Sequence, residues 1–325
     1  MNSPGPRPVR ACVIFNPAAR GEKARQFARF LTTIAAAADL RPTTGPGTAR
    51  PLAREAADTG YDLVIAAGGD GTVFEVLNGI ADSTRGFDHT ALSVLPFGTA
   101  NVFARELGIP PQPDQAWAAL QSGSVRRIDC GLAEFKDPSG NLRTARFVIV
   151  AGAGLDARAV QLVDWNLKRR AGKLAYISAA CRAYLSHPDL AHCTIDGRDF
   201  TGRAVLIGNG RFYAGDLAIF PDGNLESGLL HVRGVRKVTP GILARCLGAY
   251  LTGRWTLDRQ LTGASVPELR LTSDKPVPLQ LDGEFVGWLP ATLRILPASL
   301  QVIAPGTPTP TPTPKSTSIT STPAA

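Results

Sequence analysis

The 325-residue chain contains no run of about eighteen apolar residues, the length a membrane-crossing helix needs. Met1–Arg10 is proline-rich, and the apolar stretch Ala11–Phe15 is far shorter than the hydrophobic region of a secretion signal. The expectation is a cytoplasmic protein whose membrane contacts, if any, are peripheral. The five cysteines (Cys12, Cys130, Cys181, Cys193, Cys246) include no Cys-x-x-Cys pair. An odd count without metal spacing points to reduced, mostly buried thiols. His89, His187, His192 and His231 stand at no ligand spacing with one another or with the cysteines, so no metal cluster is expected from them. The basic residues are not interleaved with aromatics and no nucleic-acid-binding motif occurs, which argues against a nucleic-acid partner.

Hydrophobic residues make up 44% of the chain and charged residues 19%, ordinary for a globular enzyme and wrong for a disordered chain. The length exceeds the usual single core, so two domains are expected. The net charge of +8 suits an anionic partner such as a nucleotide or an acidic membrane surface, and is equally the mark of an arginine-rich coding bias.

The first half alternates strand and helix. Val9–Phe15, Asp62–Ala67 and Leu92–Leu95 read as buried strands. Glu22–Ala38, Pro51–Asp58, Val73–Ala81, Val102–Leu107 and Pro113–Ser122 read as helices. That alternation predicts a Rossmann-like parallel α/β domain over residues 1–125, with ligands bound beyond the strand ends. The pattern then changes. Arg126–Phe135, Ala145–Ala151, His192–Ile195, Arg203–Gly208, Leu229–Arg233, Glu268–Thr272 and Val277–Leu281 are short, alternating or β-branched. With helices at Leu174–Leu185 and Pro240–Leu251, they predict a mostly antiparallel β-sandwich domain over residues 126–304. Whether its last strands return to the first domain stays open. Residues 305–325 are rich in Pro, Thr and Ser and are expected to be disordered.

Three turns at strand ends carry the chemistry. Gly68-Gly69-Asp70-Gly71-Thr72 closes a buried strand and opens a helix, where glycines admit a phosphate and free helical N–H groups supply donors. Asp70 there can orient a lysine or hold Mg²⁺, and Thr72 can donate to a phosphate oxygen or cap the helix. It is not a Walker A loop, because no Gly-Lys-Ser/Thr follows. Asn16-Pro17 ends the first strand and Pro96-Phe97-Gly98-Thr99-Ala100-Asn101 ends the third. Each alone reads equally as a structural turn; together they outline a nucleotide cleft. Leu281-Asp282-Gly283-Glu284 places two carboxylates in one turn, which is either a solvated hairpin loop or a source of a general base.

In order and spacing, these motifs resemble the diacylglycerol kinase catalytic-domain family, which includes bacterial lipid kinases and sphingosine kinases and is distantly similar to NAD kinases. The resemblance continues through Gly152–Ala157 and Asn209-Gly210-Arg211 and spans about residues 9–303. It implies ATP and Mg²⁺ as cofactors, a lipid substrate presented at a membrane surface, and a cleft between the two domains. Asn16, Thr43, Gly69, Asp70, Gly71, Thr72, Glu75 and Thr99 would contact the nucleotide, with Lys173 as a phosphate or Asp70 partner. Glu284 would act as general base, with Asp282 as the alternative. The Lys168-Arg169-Arg170 run would hold anionic headgroups or simply be solvated. The oligomeric state stays open, a homodimer included.

The chain departs from the family pattern in three places. Val73-Phe74 stands where relatives usually read Leu-Asn, Val102 follows Asn101 where relatives often have Asp, and Ser227-Gly228 replaces an Asp-Gly pair at an accessory Mg²⁺ site. The last change removes the strongest oxygen ligand for a hard cation, so that accessory site is not expected. The leading reading is an ATP-dependent lipid kinase. A kinase of a soluble alcohol and a catalytically weak nucleotide-binding regulator are the alternatives.

Overall fold

The computed structural model describes residues 9–17, 30–163, 173–186, 190–195, 198–253 and 261–306. Its first half is built on short apolar runs buried on both faces, as a helix-covered parallel sheet requires. β1 (Ala11–Phe15), β3 (Leu63–Gly68) and β4 (Ala91–Pro96) run parallel, with β3 between the other two. β2 (Asp39–Pro42) adds a parallel edge strand beside β1. It is short, half-exposed and ends on a proline, so no apolar pattern announces it. The helices here are α1 (Ala49–Asp58), α2 (Asp70–Ala81), α3 (Gly86–His89), α4 (Val102–Glu106) and α5 (Pro113–Gln121). Residues 30–35 are helical, and the earlier part of the helix expected over Glu22–Ala38 lies outside the described residues.

The second half holds β5 (Ser124–Lys136), β6 (Leu142–Phe147), β7 (Val150–Gly154), α6 (Leu155–Gln161) and α7 (Lys173–Leu185). It continues with β8 (Ala191–Ile195), β9 (Arg198–Gly202), β10 (Ala204–Gly208), β11 (Leu230–Val235) and α8 (Pro240–Thr252). The chain closes on β12 (Thr262–Val266), β13 (Glu268–Leu271), β14 (Pro278–Leu281) and β15 (Glu284–Ala304). α8 starts on sequence signals: Thr239 accepts a hydrogen bond from Ile242 N at 3.2 Å, Pro240 opens the first turn, and Gly253 ends the helix at φ 72°.

β15 is the element that no apolar run predicts. Its Gly287, Pro290 and Pro297 break the pattern that a strand should show. The structure absorbs them as register shifts on one 21-residue strand. β15 runs antiparallel to β5, from Trp288 opposite Lys136 to Ala304 opposite Ser124, and parallel to β4 at Val302–Leu92. Buried Ser93 of β4 donates to Ile303 O at 2.7 Å. One mixed 13-stranded sheet therefore spans both halves, parallel at one end and antiparallel at the other.

The stretch Ala145–Ala151, expected as a single strand, divides into β6 and β7. Asp282 is the physical reason. Its carboxylate accepts from the N–H groups of Val148, Ile149 and Val150, each at 2.9 Å, which turns three successive amides to one point. Two apolar cores result, one around β1, β3 and β4 and one around β7, β10, β14 and β15. Phe74, the apolar departure in α2, packs against the second core. Buried Asn78, one turn later, donates to Arg146 O at 3.1 Å and accepts from Arg146 N at 2.8 Å. α2 thus joins the nucleotide-motif turn to β6.

Candidate active site

Because β3 and β4 are neighbours, their C-terminal turns meet. Gly69 and Gly98 touch backbone to backbone: a Cβ on Gly98 would lie 2.4 Å from Gly69 Cα. Asn101 holds the second turn in a left-handed conformation (φ 50°), accepting from Gly98 N at 2.8 Å and donating to Gly98 O at 2.9 Å. Asp70 accepts from Phe103 N at 3.2 Å, so it supports the start of α4. Burial pushes the Asp70 carboxyl up, against the pull of the Phe103, Val102 and Asn101 amides. Glu75 accepts from Gly47 N at 2.7 Å and Ala49 N at 2.8 Å, which fixes the loop that follows Thr43 and the start of α1. Both carboxylates read from sequence as nucleotide contacts therefore also hold the loops that shape the cleft.

A cavity of about 590 Å³ opens beyond these strand ends. Asn16, Thr43, Gly69, Asp70, Gly71, Thr72, Glu75 and Thr99 line it together with Asp282 and Glu284. All the candidate side chains among the described residues are thus brought together. Lys173 opens α7, and its expected phosphate contact lies outside the described residues, as does the Lys168–Arg170 run.

The Asp282-Gly283 pair forms a two-residue hairpin between β14 and β15, with φ of 49° and 83° and Leu281 opposite Glu284. Two positive φ values in succession are what a type I′ turn demands, and Asp-Gly meets that demand at low cost. The turn points the two carboxylates in different directions. Asp282 faces inward to its three amides; burial nonetheless pushes its carboxyl up to about 7. Both of its oxygens accept from backbone amides. Glu284 faces the cleft, and its Oε1 lies 2.6 Å from the point where a Cβ on Gly71 would stand. The first turn of α2 and the Asp-Gly-Glu hairpin therefore meet at one carboxylate. Tyr176 of α7 stands nearby: burial first, then the negative charges of Glu284 and Asp70, push its phenol up to about 12.

Much of the remaining lining is apolar. Ile177 and Ala180 of α7, Leu206, Leu217 and Ile219, and Ile242, Leu243, Cys246, Leu247 and Tyr250 of α8 line the same cavity. Sequence reasoning did not identify these residues. Their helical spacing is the spacing of any core-facing stripe, and only the fold shows that the stripe faces a cavity. It also missed Asp156, Tyr213 and Gln280, which line the cavity together. The Gly152–Ala157 and Asn209–Arg211 motifs were the available signal.

The other motif residues are structural. Asn209 donates to Asp129 O and Val148 O, both at 3.0 Å. In the loop of Ser227-Gly228, Asp129 accepts from Gly228 N at 2.6 Å and Ala298 N at 2.9 Å. Among the described residues no group of three His, Cys, Asp or Glu side chains is placed to hold a metal ion. No described helix is long and apolar enough to cross a membrane.

Comparison with known proteins agrees with this arrangement. Residues 10–133 match the diacylglycerol kinase catalytic domain, and residues 149–304 match the YegS C-terminal NAD kinase beta sandwich-like domain. The chain is 31% identical over 305 residues to a "probable lipid kinase YegS-like" of Pseudomonas aeruginosa, covering 93% of this chain and 91% of the relative. It is 30% identical over 304 residues to a diacylglycerol kinase of Bacillus subtilis, covering 91% and 96%. A crystal structure of a diacylglycerol kinase from Bacillus anthracis shares the fold, with a TM-score of 0.65 over 91% of this chain and 97% of that one, at 21% identity. With both domain matches in order and relatives aligned along nearly their whole length, the chain belongs to the diacylglycerol kinase and YegS-like lipid kinase family.

Proposed function

We infer that this protein transfers the γ-phosphoryl group of ATP to the hydroxyl of a lipid such as a diacylglycerol, with Glu284 as general base. One observation carries the reading: a single cavity is lined by the glycine-rich strand ends, the Glu284 carboxylate and apolar side chains of α7 and α8. A polar phosphate cradle, a carboxylate and apolar lining in one cavity match a phosphoryl donor, an alcohol and an acyl chain.

The residues fit a nucleotide. Gly69, Gly71 and Gly98 are half-buried and line the cavity, and the start of α2 turns its N–H groups and a favourable dipole to the same place. Thr72, Thr99 and Asn16 bring further polar groups to the same rim. Mg²⁺ accompanying the triphosphate would neutralise charge that spreads over the γ-phosphoryl oxygens. The lipid hydroxyl enters from the apolar side. Glu284 accepts its proton as the oxygen attacks, and positioning accounts for most of the remaining rate.

Peripheral docking on an acidic membrane surface completes the proposal. Arg203, Arg236 and Lys237 line a second hollow that shares Leu155 and Val238 with the main cavity, and exposed Leu190 lines the same hollow. Cations beside an exposed leucine suit an anionic interface. The test is transfer of labelled phosphate from ATP–Mg²⁺ to a panel of lipids in mixed micelles. Labelling of one lipid class supports the reading. No labelling of any lipid, with transfer to a soluble alcohol or none at all, contradicts it.

A further inference from the structure

A row of buried hydrogen bonds leads from the apolar chamber to the hairpin that carries Glu284. Tyr213 donates its hydroxyl to one oxygen of Asp156. The other Asp156 oxygen accepts from Gln280 Nε2 at 2.9 Å. Gln280 Oε1 in turn accepts from Gly283 N at 2.8 Å, the backbone amide between Asp282 and Glu284. Gln280 is 1% exposed, so each of its polar ends needs the partner it has. β14 and β15 shift register between Leu279 and Gln280, a bulge close to the turn, and Gln280 keeps Phe285 and Gly152 as its ladder partners. Gly152 makes the row possible: a Cβ there would lie 2.0 Å from Asp156 Oδ2 and 2.8 Å from Gln280 Nε2.

Resting on the assignment of Glu284 as base, we propose that Tyr213, Asp156 and Gln280 form a positioning relay that holds the Asp282-Gly283 turn, and so sets the Glu284 carboxylate above Gly71. The relay acts on the turn from one side while Asp282 anchors it to Val148, Ile149 and Val150 from the other. A type I′ hairpin with an exposed Gly283 is free to rock unless its amide is held. Rocking would move Glu284 by a fraction of an ångström to an ångström, and misplacement on that scale costs about a hundredfold in rate. The backbone amide of Gly283 can only donate, which sets the direction of the row: backbone amide to amide oxygen, amide nitrogen to the Asp156 carboxyl, and the Tyr213 hydroxyl to its other oxygen. Tyr213 also lines the chamber, so the end of the relay is in reach of an entering acyl chain.

The polarity supplies the test. In Asp156→Asn, one orientation of the new amide sets its nitrogen against Gln280 Nε2, and the other makes it donate to the Tyr213 oxygen, so that the hydroxyl proton loses its carboxyl acceptor. In Gln280→Glu, two buried carboxylates face each other. In the double variant, the introduced asparagine accepts from Tyr213 and donates to the introduced glutamate. That glutamate still accepts from Gly283 N, so every bond is restored. Each single variant is expected to lower kcat by roughly tenfold to a hundredfold with little change in ATP affinity. Each should also speed hydrogen exchange at the Gly283 amide at least tenfold, and the double variant should recover both kcat and protection. Tyr213→Phe, which keeps the ring, should give a milder loss of the same kind. Recovered exchange without recovered kcat would mean that Asp156 acts directly on substrate, and the proposal would be wrong. Unchanged exchange in both single variants would overturn it equally. Should the wild type transfer phosphate to nothing, the kinase reading fails, while the exchange measurement still decides whether the relay holds the turn.

Discussion

Gly71→Ala isolates the meeting of the two site motifs. Gly71 lies in the first turn of α2 with ordinary helical backbone, so alanine raises no conformational objection. Helix propensity alone favours the change by about 1 kcal/mol. The obstacle is the Glu284 carboxylate, whose Oε1 would sit 2.6 Å from the new Cβ with its Cδ at 3.6 Å. The far end of a side chain yields more readily than backbone, so Glu284 should retreat by roughly 1 Å to regain van der Waals separation. A displacement of that size costs about a hundredfold, or about 2.7 kcal/mol of transition-state stabilisation. The variant should therefore fold with an unchanged or slightly raised Tm and lose about two orders of magnitude in kcat. Thermal unfolding and labelled-phosphate transfer at saturating ATP read both. A kcat within twofold of wild type would refute the reasoning, because it would show that the carboxylate over Gly71 is not the reacting group. A collapse in Tm would refute it differently, by showing that the helix start cannot take the methyl group.

Burial holds the Asp282 carboxyl up to about 7, above its range in the unfolded chain. A folded value above the unfolded one means that the native state binds the extra proton. This contribution to stability is therefore full below the unfolded carboxylate range and is lost as pH rises through about 7. The stability of the wild type relative to Asp282→Asn should rise between pH 8 and pH 6, and a flat difference would speak against this. Asn78→Ala strands the half-buried N–H and C=O of Arg146 and should cost roughly 1–3 kcal/mol in urea unfolding, with a value near zero contradicting the role of α2 as a clamp. Replacing Arg236 and Lys237 by alanine should weaken partition onto phosphatidylglycerol vesicles by roughly thirtyfold, at about 1 kcal/mol per cation, and leave zwitterionic vesicles indifferent. Equal partition of variant and wild type would remove the proposed docking face.

The turns that shape the nucleotide side are legible in the sequence because their chemistry is local. Glycines at strand ends, Asp-Gly in a two-residue hairpin and asparagine in a left-handed turn each answer a backbone demand made within a few residues. What the side chains of Asp70, Glu75 and Asp282 bind was not legible. Their partners are Phe103, Gly47 with Ala49, and Val148–Val150, and only the fold brings those amides near. The same holds for β15, whose prolines and glycine hide a strand that pairing with both β5 and β4 stabilises. The apolar chamber was hidden for another reason: Ile242, Leu243, Cys246, Leu247 and Tyr250 have the spacing of a core stripe, and spacing cannot tell a core from a cavity.

The most direct measurement compares phosphoryl transfer by the wild type and Glu284→Gln on the same lipid, with ATP binding measured alongside. The glutamine keeps the size and the place above Gly71 but cannot take a proton. The account predicts transfer reduced by at least a hundredfold with ATP affinity unchanged. Transfer at the wild-type rate would contradict it and remove Glu284 from the reaction.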